Sequence, residues 1–192
     1  MRLVTSAWGI LQKLSRWTRL LRDRRGMSMV EFAMILPVLL LTYIGVAEVG
    51  TALTLYRRTA TVASTAADLT AQVKSVSNGD LKDIVSAASS ILTPYPDAPL
   101  KLVISSVVAD DNNNGKVAWS YANKGSARRV NSSYNVPDGL TEPGSSLIVA
   151  EMTYDYTPLL NVTFYDYSPR AFQMERKFYS RPRKSLTVTK TN

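Results

Sequence analysis

Cysteine and histidine are both absent from the 192 residues. Without them the chain cannot build Ser-His-Asp or Cys-His catalysis, and it lacks the usual nitrogen and sulfur ligands of zinc. Most common hydrolase designs are excluded. No disulfide can form either, so stability outside a reducing compartment has to come from a hydrophobic core or from partner subunits. Acids are few as well: 15 against 23 basic residues, for a net charge of +8. Such an excess points first to nucleic acid or an anionic membrane.

The position of the charge separates those two partners. Residues 1–26 hold seven basic side chains (Arg2, Lys13, Arg16, Arg19, Arg22, Arg24, Arg25) and one acid, Asp23, whereas the remaining 166 residues carry 16 basic and 14 acidic ones. The basicity belongs to a leader, and nucleic acid is not expected as a partner. Within it Leu3, Ala7, Ile10, Leu14, Trp17 and Leu21 recur at helical spacing, the stripe of an amphipathic helix suited to an anionic membrane face.

A long apolar run follows. Phe32 to Ala47 (FAMILPVLLLTYIGVA) contains no charge, and apolar residues extend it to Met27 on one side and towards Tyr56 on the other, interrupted by Glu31 and Glu48. A helix over 27–56 would be about 45 Å long, enough to cross a hydrocarbon layer of about 30 Å. The basic residues before it outnumber Arg57 and Arg58 just behind it, which places the leader in the cytoplasm and the bulk of the chain across the membrane. Pro37 removes one backbone hydrogen bond and is expected to kink the helix.

Glu31 lies at or just inside the apolar layer, where an acid costs up to about 2.5–3.5 kcal/mol at the centre and less near the edge. Such a charge calls for a partner. Cleavage after Gly26 would create an α-amino group at Met27, within reach of Glu31 at mature position five. The order Arg24-Arg25-Gly26, then Met27-Ser28-Met29-Val30-Glu31-Phe32 and a long apolar run, has the form of a prepilin-peptidase site. Two other readings stand beside it. Gly45-Val46-Ala47 before Glu48 has the small residues of a conventional signal-peptidase site, and the helix also reads as a plain uncleaved anchor.

Residues 22–58, RDRRGMSMVEFAMILPVLLLTYIGVAEVGTALTLYRR, resemble the TadE-like proteins of tight-adherence (Tad, or Flp) pilus systems. Their signature runs from a basic doublet and Gly through V-E-F-A and a Leu-Pro in a Leu-rich span to Gly-x-x-E. The resemblance implies a minor pilin or pseudopilin, made as an inner-membrane precursor and matured by an aspartic prepilin peptidase. On that reading Gly26 precedes the cut, Met27 becomes the N-terminus, and Glu31 with Phe32 serves recognition and assembly. Processed family members often carry Glu-Tyr where this chain has Glu31-Phe32. The implied partners are prepilin peptidase, other Tad pilins, inner-membrane assembly platform proteins and the membrane itself. The implied location is the bacterial inner membrane, single pass, with a periplasmic C-terminal domain and incorporation into an extracellular pilus as a further expectation. Neither catalysis nor a cofactor is expected. The alternative is an uncleaved, membrane-anchored periplasmic binding or scaffold protein of the pilus machinery.

Beyond the span, Ala52, Leu55, Thr59, Val62, Ala66, Leu69, Val73 and Val76 continue at spacings of 3 and 4, predicting one helix over 27–76. Its upper face would pack against neighbouring subunits, and its part from Thr51 on against the chain's own domain. Residues 77–192 predict that domain. Leu81, Ile84, Val85, Ala88, Ile91 and Leu92 mark a short amphipathic helix, and strands follow at 101–109, 116–121, 146–156 and 172–179. The expected class is α+β, a long N-terminal helix followed by a small helix-backed antiparallel sheet. Residues 123–145 read as a mobile loop.

Three weaker features complete the reading. Asp110-Asp111-Asn112-Asn113-Asn114-Gly115 matches the first half of a calcium loop, with Asp110, Asn112 and Asn114 as oxygen ligands, but Tyr121 stands where the bidentate Glu belongs. A hairpin turn accounts for it better. The paired acids Asp110 with Asp111 and Asp155 with Asp166 are candidates for acid-base work on composition alone. Arg176, Lys177, Arg181, Arg183 and Lys184 form a basic cluster that reads as a solvated strand end.

Overall fold

The computed structural model describes residues 26–110, 114–137, 139–158 and 172–191. The chain divides into two compact units, residues 1–47 and 48–192. The amphipathic leader stripe lies outside the described residues.

Helix α1 runs from Met27 to Ala71 and includes Pro37 without interruption. In the first unit its side chains are exposed almost throughout. Among the described residues it is the one helix long and apolar enough to cross a membrane. Two hydroxyls that would be costly in lipid are turned onto the helix itself: Thr42 donates to the Val38 carbonyl and Thr54 to that of Gly50, both at 2.8 Å.

In the second unit the same helix changes character. Leu55, Thr59, Val62, Ala63, Ala66, Ala67, Thr70 and Ala71 are buried, a stripe of straight-helix period in which alanines allow close approach to a sheet. Burying Leu55 and Val62 completely stabilises the unit by about 1.5–3 kcal/mol each. The helix ends at Ala71 rather than continuing to 76. Gln72 N–H still bonds the Asp68 carbonyl, but the Ala71 carbonyl accepts from Arg183 N–H at 2.9 Å. The chain then forms strand β1 (Ser75–Val76), paired in parallel with β7 (Thr189–Lys190). Periodicity cannot see this ending, because its partner comes from the far end of the chain.

Helix α2 (Asn78–Ser89) starts at a capping box. Ser77 accepts from Asp80 N–H and the Asp80 carboxylate accepts from Ser77 N–H, so two orphan donors are satisfied together. That backbone bond, with the Ser77 hydroxyl, holds the Asp80 carboxyl below its usual range. Leu81, Val85 and Ala88 face inward, and a 3-10 turn at Ser90–Leu92 ends the predicted helix.

The five-stranded sheet has the order β4-β3-β2-β5-β6, with β2 at Leu100–Ala109, β3 at Gly115–Ala122, β4 at Ser133–Tyr134, β5 at Ser146–Tyr156 and β6 at Phe172–Ser180. All its pairings are antiparallel, and the α+β class stands. The core joins α1 and α2 to one face of the sheet through Leu102, Ile104, Ile148, Ala150, Met152 and Tyr154.

Residues 123–145 differ from expectation. Instead of a free loop they supply β4, and Tyr134, Val136 and Leu140 cover a second cluster of Val107, Val117, Leu147 and Val149. The cause is the run Leu147-Ile148-Val149-Ala150 at the start of β5, buried on both faces. A strand apolar on both faces needs a cover on each.

Candidate functional site

The expected processing segment forms the first turns of α1. Gly26 precedes the helix, and a side chain there would meet nothing within 4 Å, so packing does not explain the glycine. Met27, Met29, Val30, Phe32 and Met34 are all exposed, and so is Glu31. The structure thus places Met27, Glu31, Phe32 and Pro37 on one open apolar helix, with Gly26 directly before it. A helix with no buried residue over its apolar stretch is compatible with a single-pass membrane anchor.

Where the second unit begins, the polar side chains of α1 are taken up by the sheet domain. Tyr156 of β5 donates its hydroxyl to Glu48 Oε1; burial first, then this bond, pushes Tyr156 up to about 12. Arg176 of β6 stacks on Tyr56, its guanidinium carbon 3.6 Å from the ring centroid. Arg58 donates to the carbonyls of Ile91, at 2.9 Å, and Thr93 and lies 5.6 Å from the centre of the Tyr95 ring. Glu48, the second acid that interrupts the apolar run, is thus tied to the chain's own domain.

The outer face of the sheet carries an ion network. Glu151 lies opposite Lys177 in the β5–β6 register and accepts two hydrogen bonds from Arg128, at 2.6 and 2.8 Å, and one from Tyr134 at 3.2 Å. Lys177 Nζ stands 3.2 Å away. Burial would raise the Glu151 carboxyl, but Arg128 and then Lys177 outweigh it and hold it below its usual range. Burial dominates at Tyr134 and pushes its hydroxyl up. Each group in this network serves another, an arrangement that fixes a sheet face.

The weaker sequence features dissolve into structure. Asp110 Oδ1 accepts from Asn114 N–H at 2.8 Å, and Asp110 N–H donates to the Asn114 carbonyl at 3.0 Å, closing the β2–β3 hairpin; residues 111–113, including Asn112, lie outside the described residues. Gly115 is required for another reason: a Cβ there would stand 2.5 Å from the Tyr134 carbonyl. Asp155 is held by Lys101 at 2.9 Å and Gln173 at 3.1 Å, while Asp111 and Asp166 are not described. Four of the five residues of the basic cluster are dispersed onto separate partners. Besides Arg176 and Lys177, Arg181 donates to the Leu140 and Gly139 carbonyls at 3.0 and 2.9 Å, and Arg183 pairs with Asp68.

No curated protein and no solved structure matches the chain. Residues 26–68, from the glycine before the helix into its buried stripe, match the family described as TadE-like protein, and this part of the chain is similar to that family.

Proposed function

We propose that this protein is a minor pilin or pseudopilin of a Tad pilus system, matured by prepilin peptidase and packed into its assembly through α1, with no catalysis of its own. A TadE-like domain points to a Tad pilus-associated protein. The finer reading is carried by one observation: Gly26, Met27 and Glu31 stand in prepilin-site order at the head of an apolar helix exposed from residue 27 on. Before processing, the helix crosses the inner membrane with the basic leader in the cytoplasm. After cleavage behind Gly26, the Met27 α-amino group and the Glu31 carboxylate supply opposite charges about one helical turn apart, so the acid no longer enters an apolar layer alone.

Mass spectrometry of the mature protein tests the reading. The chain is expected to begin at Met27 in cells with an active prepilin peptidase and at Met1 in cells without it. An intact Met1 in a working pilus system would refute maturation. Replacing Glu31 by Ala is expected to abolish assembly while membrane insertion continues, since losing an acid lowers the cost of insertion by up to about 2.5–3.5 kcal/mol; unchanged pili in this variant would refute the assembly role.

A further inference from the structure

A groove of about 680 Å³ opens between the start of the sheet-bound part of α1 and the end of the β5–β6 pair, lined by Val49, Leu53, Tyr56, Tyr156, Phe172 and Met174 among others. We propose that it is a phospholipid seat, in which the glycerol end of a lipid's acyl chains lies against the base of the sheet domain. The proposal rests on the membrane-spanning reading of α1.

Three observations name lipid as the occupant. The first is depth. About 20 helical residues cross the hydrocarbon, so a span that starts beside Glu31 leaves it between Glu48 and Leu53, where the groove begins. The second is continuity of exposure: Val49 is 68% and Leu53 50% exposed on α1, and Phe172 is 65% exposed on the neighbouring strand, so the apolar surface of the helix widens onto the domain. The third is the order of chemistry along the helix and the adjoining ends of β5 and β6. Apolar side chains come first, and Tyr56, Tyr156 and Phe172 form an aromatic group of the kind found at headgroup level. Exposed Arg57 and Arg176, stacked on Tyr56, supply cations at the level of the lipid phosphates. Two acids also line the groove: Glu48, which accepts from Tyr156, and Glu175, opposite Thr153 in the β5–β6 register. Apolar wall, aromatic rim and cationic edge follow the layers of a bilayer surface.

The absence of cysteine makes the test direct, because any introduced cysteine is the sole labelling site. Nitroxide labels are placed at Leu40→Cys, Leu53→Cys, Phe172→Cys and Ser86→Cys in the full chain. Each variant is reconstituted at one copy per nanodisc of phosphatidylcholine and phosphatidylglycerol, and spin relaxation by oxygen and by a water-soluble nickel chelate is compared. Labels at Leu53 and Phe172 are expected to favour oxygen over nickel severalfold relative to Ser86 on α2, as Leu40 does. If Leu40 is in lipid while Leu53 and Phe172 meet nickel as freely as Ser86, the seat is refuted and the span stands. If both reagents are excluded at Phe172, protein covers the groove and the proposal is likewise overturned. If Leu40 itself lies in water, the membrane reading beneath the proposal has failed.

Discussion

At the scale of single residues, the most informative side chains are those whose surroundings contradict their ordinary preferences. Glu151 sits in a sheet face with Arg128, Lys177 and Tyr134 around it. Its folded pKa is depressed, so the stability it contributes is present above the unfolded value near 4.5 and is lost as pH falls through the lower folded value. The full chain in detergent is therefore expected to lose thermal stability as pH drops below about 4.5, with Glu151→Gln flattening that part of the profile; equal slopes in the two proteins would show that the network is not coupled to folding. Gly115 makes a steric prediction. Its missing Cβ leaves room for the Tyr134 carbonyl, and Gly115→Ala is expected to cost about 1–3 kcal/mol by overpacking, read as a lowered Tm with the Asp110 turn chemistry untouched.

At the scale of elements, α1 carries two designs in one helix. Its first part has no buried face in the described structure, while its last part presents Ala63, Ala66, Ala67 and Ala71 to the sheet. Small residues there set the distance between helix and strands, so Ala66→Leu is expected to destabilise the protein by about 1–3 kcal/mol through displaced packing, measured by denaturant unfolding. The same change at exposed Val46 removes and adds little buried volume and should leave unfolding unchanged. A seam of 3 and 4 spacings fits both a subunit interface and an intrachain core, and the burial from Leu55 on agrees with the expectation that the helix beyond Thr51 packs on the chain's own domain. The β1–β7 pair and the Trp119 indole, which donates to the Val188 carbonyl at 2.7 Å, depend on the C-terminal segment in a way no local pattern announces.

At the scale of the whole molecule, charge and maturation are one subject. The net +8 is concentrated before Met27, and the chain from Met27 on carries 16 basic and 14 acidic residues. Removal of the leader is expected to lower the isoelectric point from the sequence value near 9.8, with the shift visible on isoelectric focusing of membrane extracts with and without prepilin peptidase. Identical focusing positions would mean the leader is retained.

What the sequence determined by itself is whatever depends on neighbours along the chain: the helix start at Met27, the short amphipathic helix from Leu81 on, the bounds of the four longer strands to within a residue or so, and the order Gly26, Met27, Glu31. Periodicity and β-propensity act over a few residues, and they suffice for these. Tertiary structure alone decided which partner each charge would take. Glu48 with Tyr156, Arg176 on Tyr56, Arg183 with Asp68, and the folding of residues 123–145 over Leu147 and Val149 all join segments far apart in the chain. A buried face or a costly charge declares in the sequence that it needs a cover or a counterpart, but the identity of that group follows only from which segments the sheet order brings together.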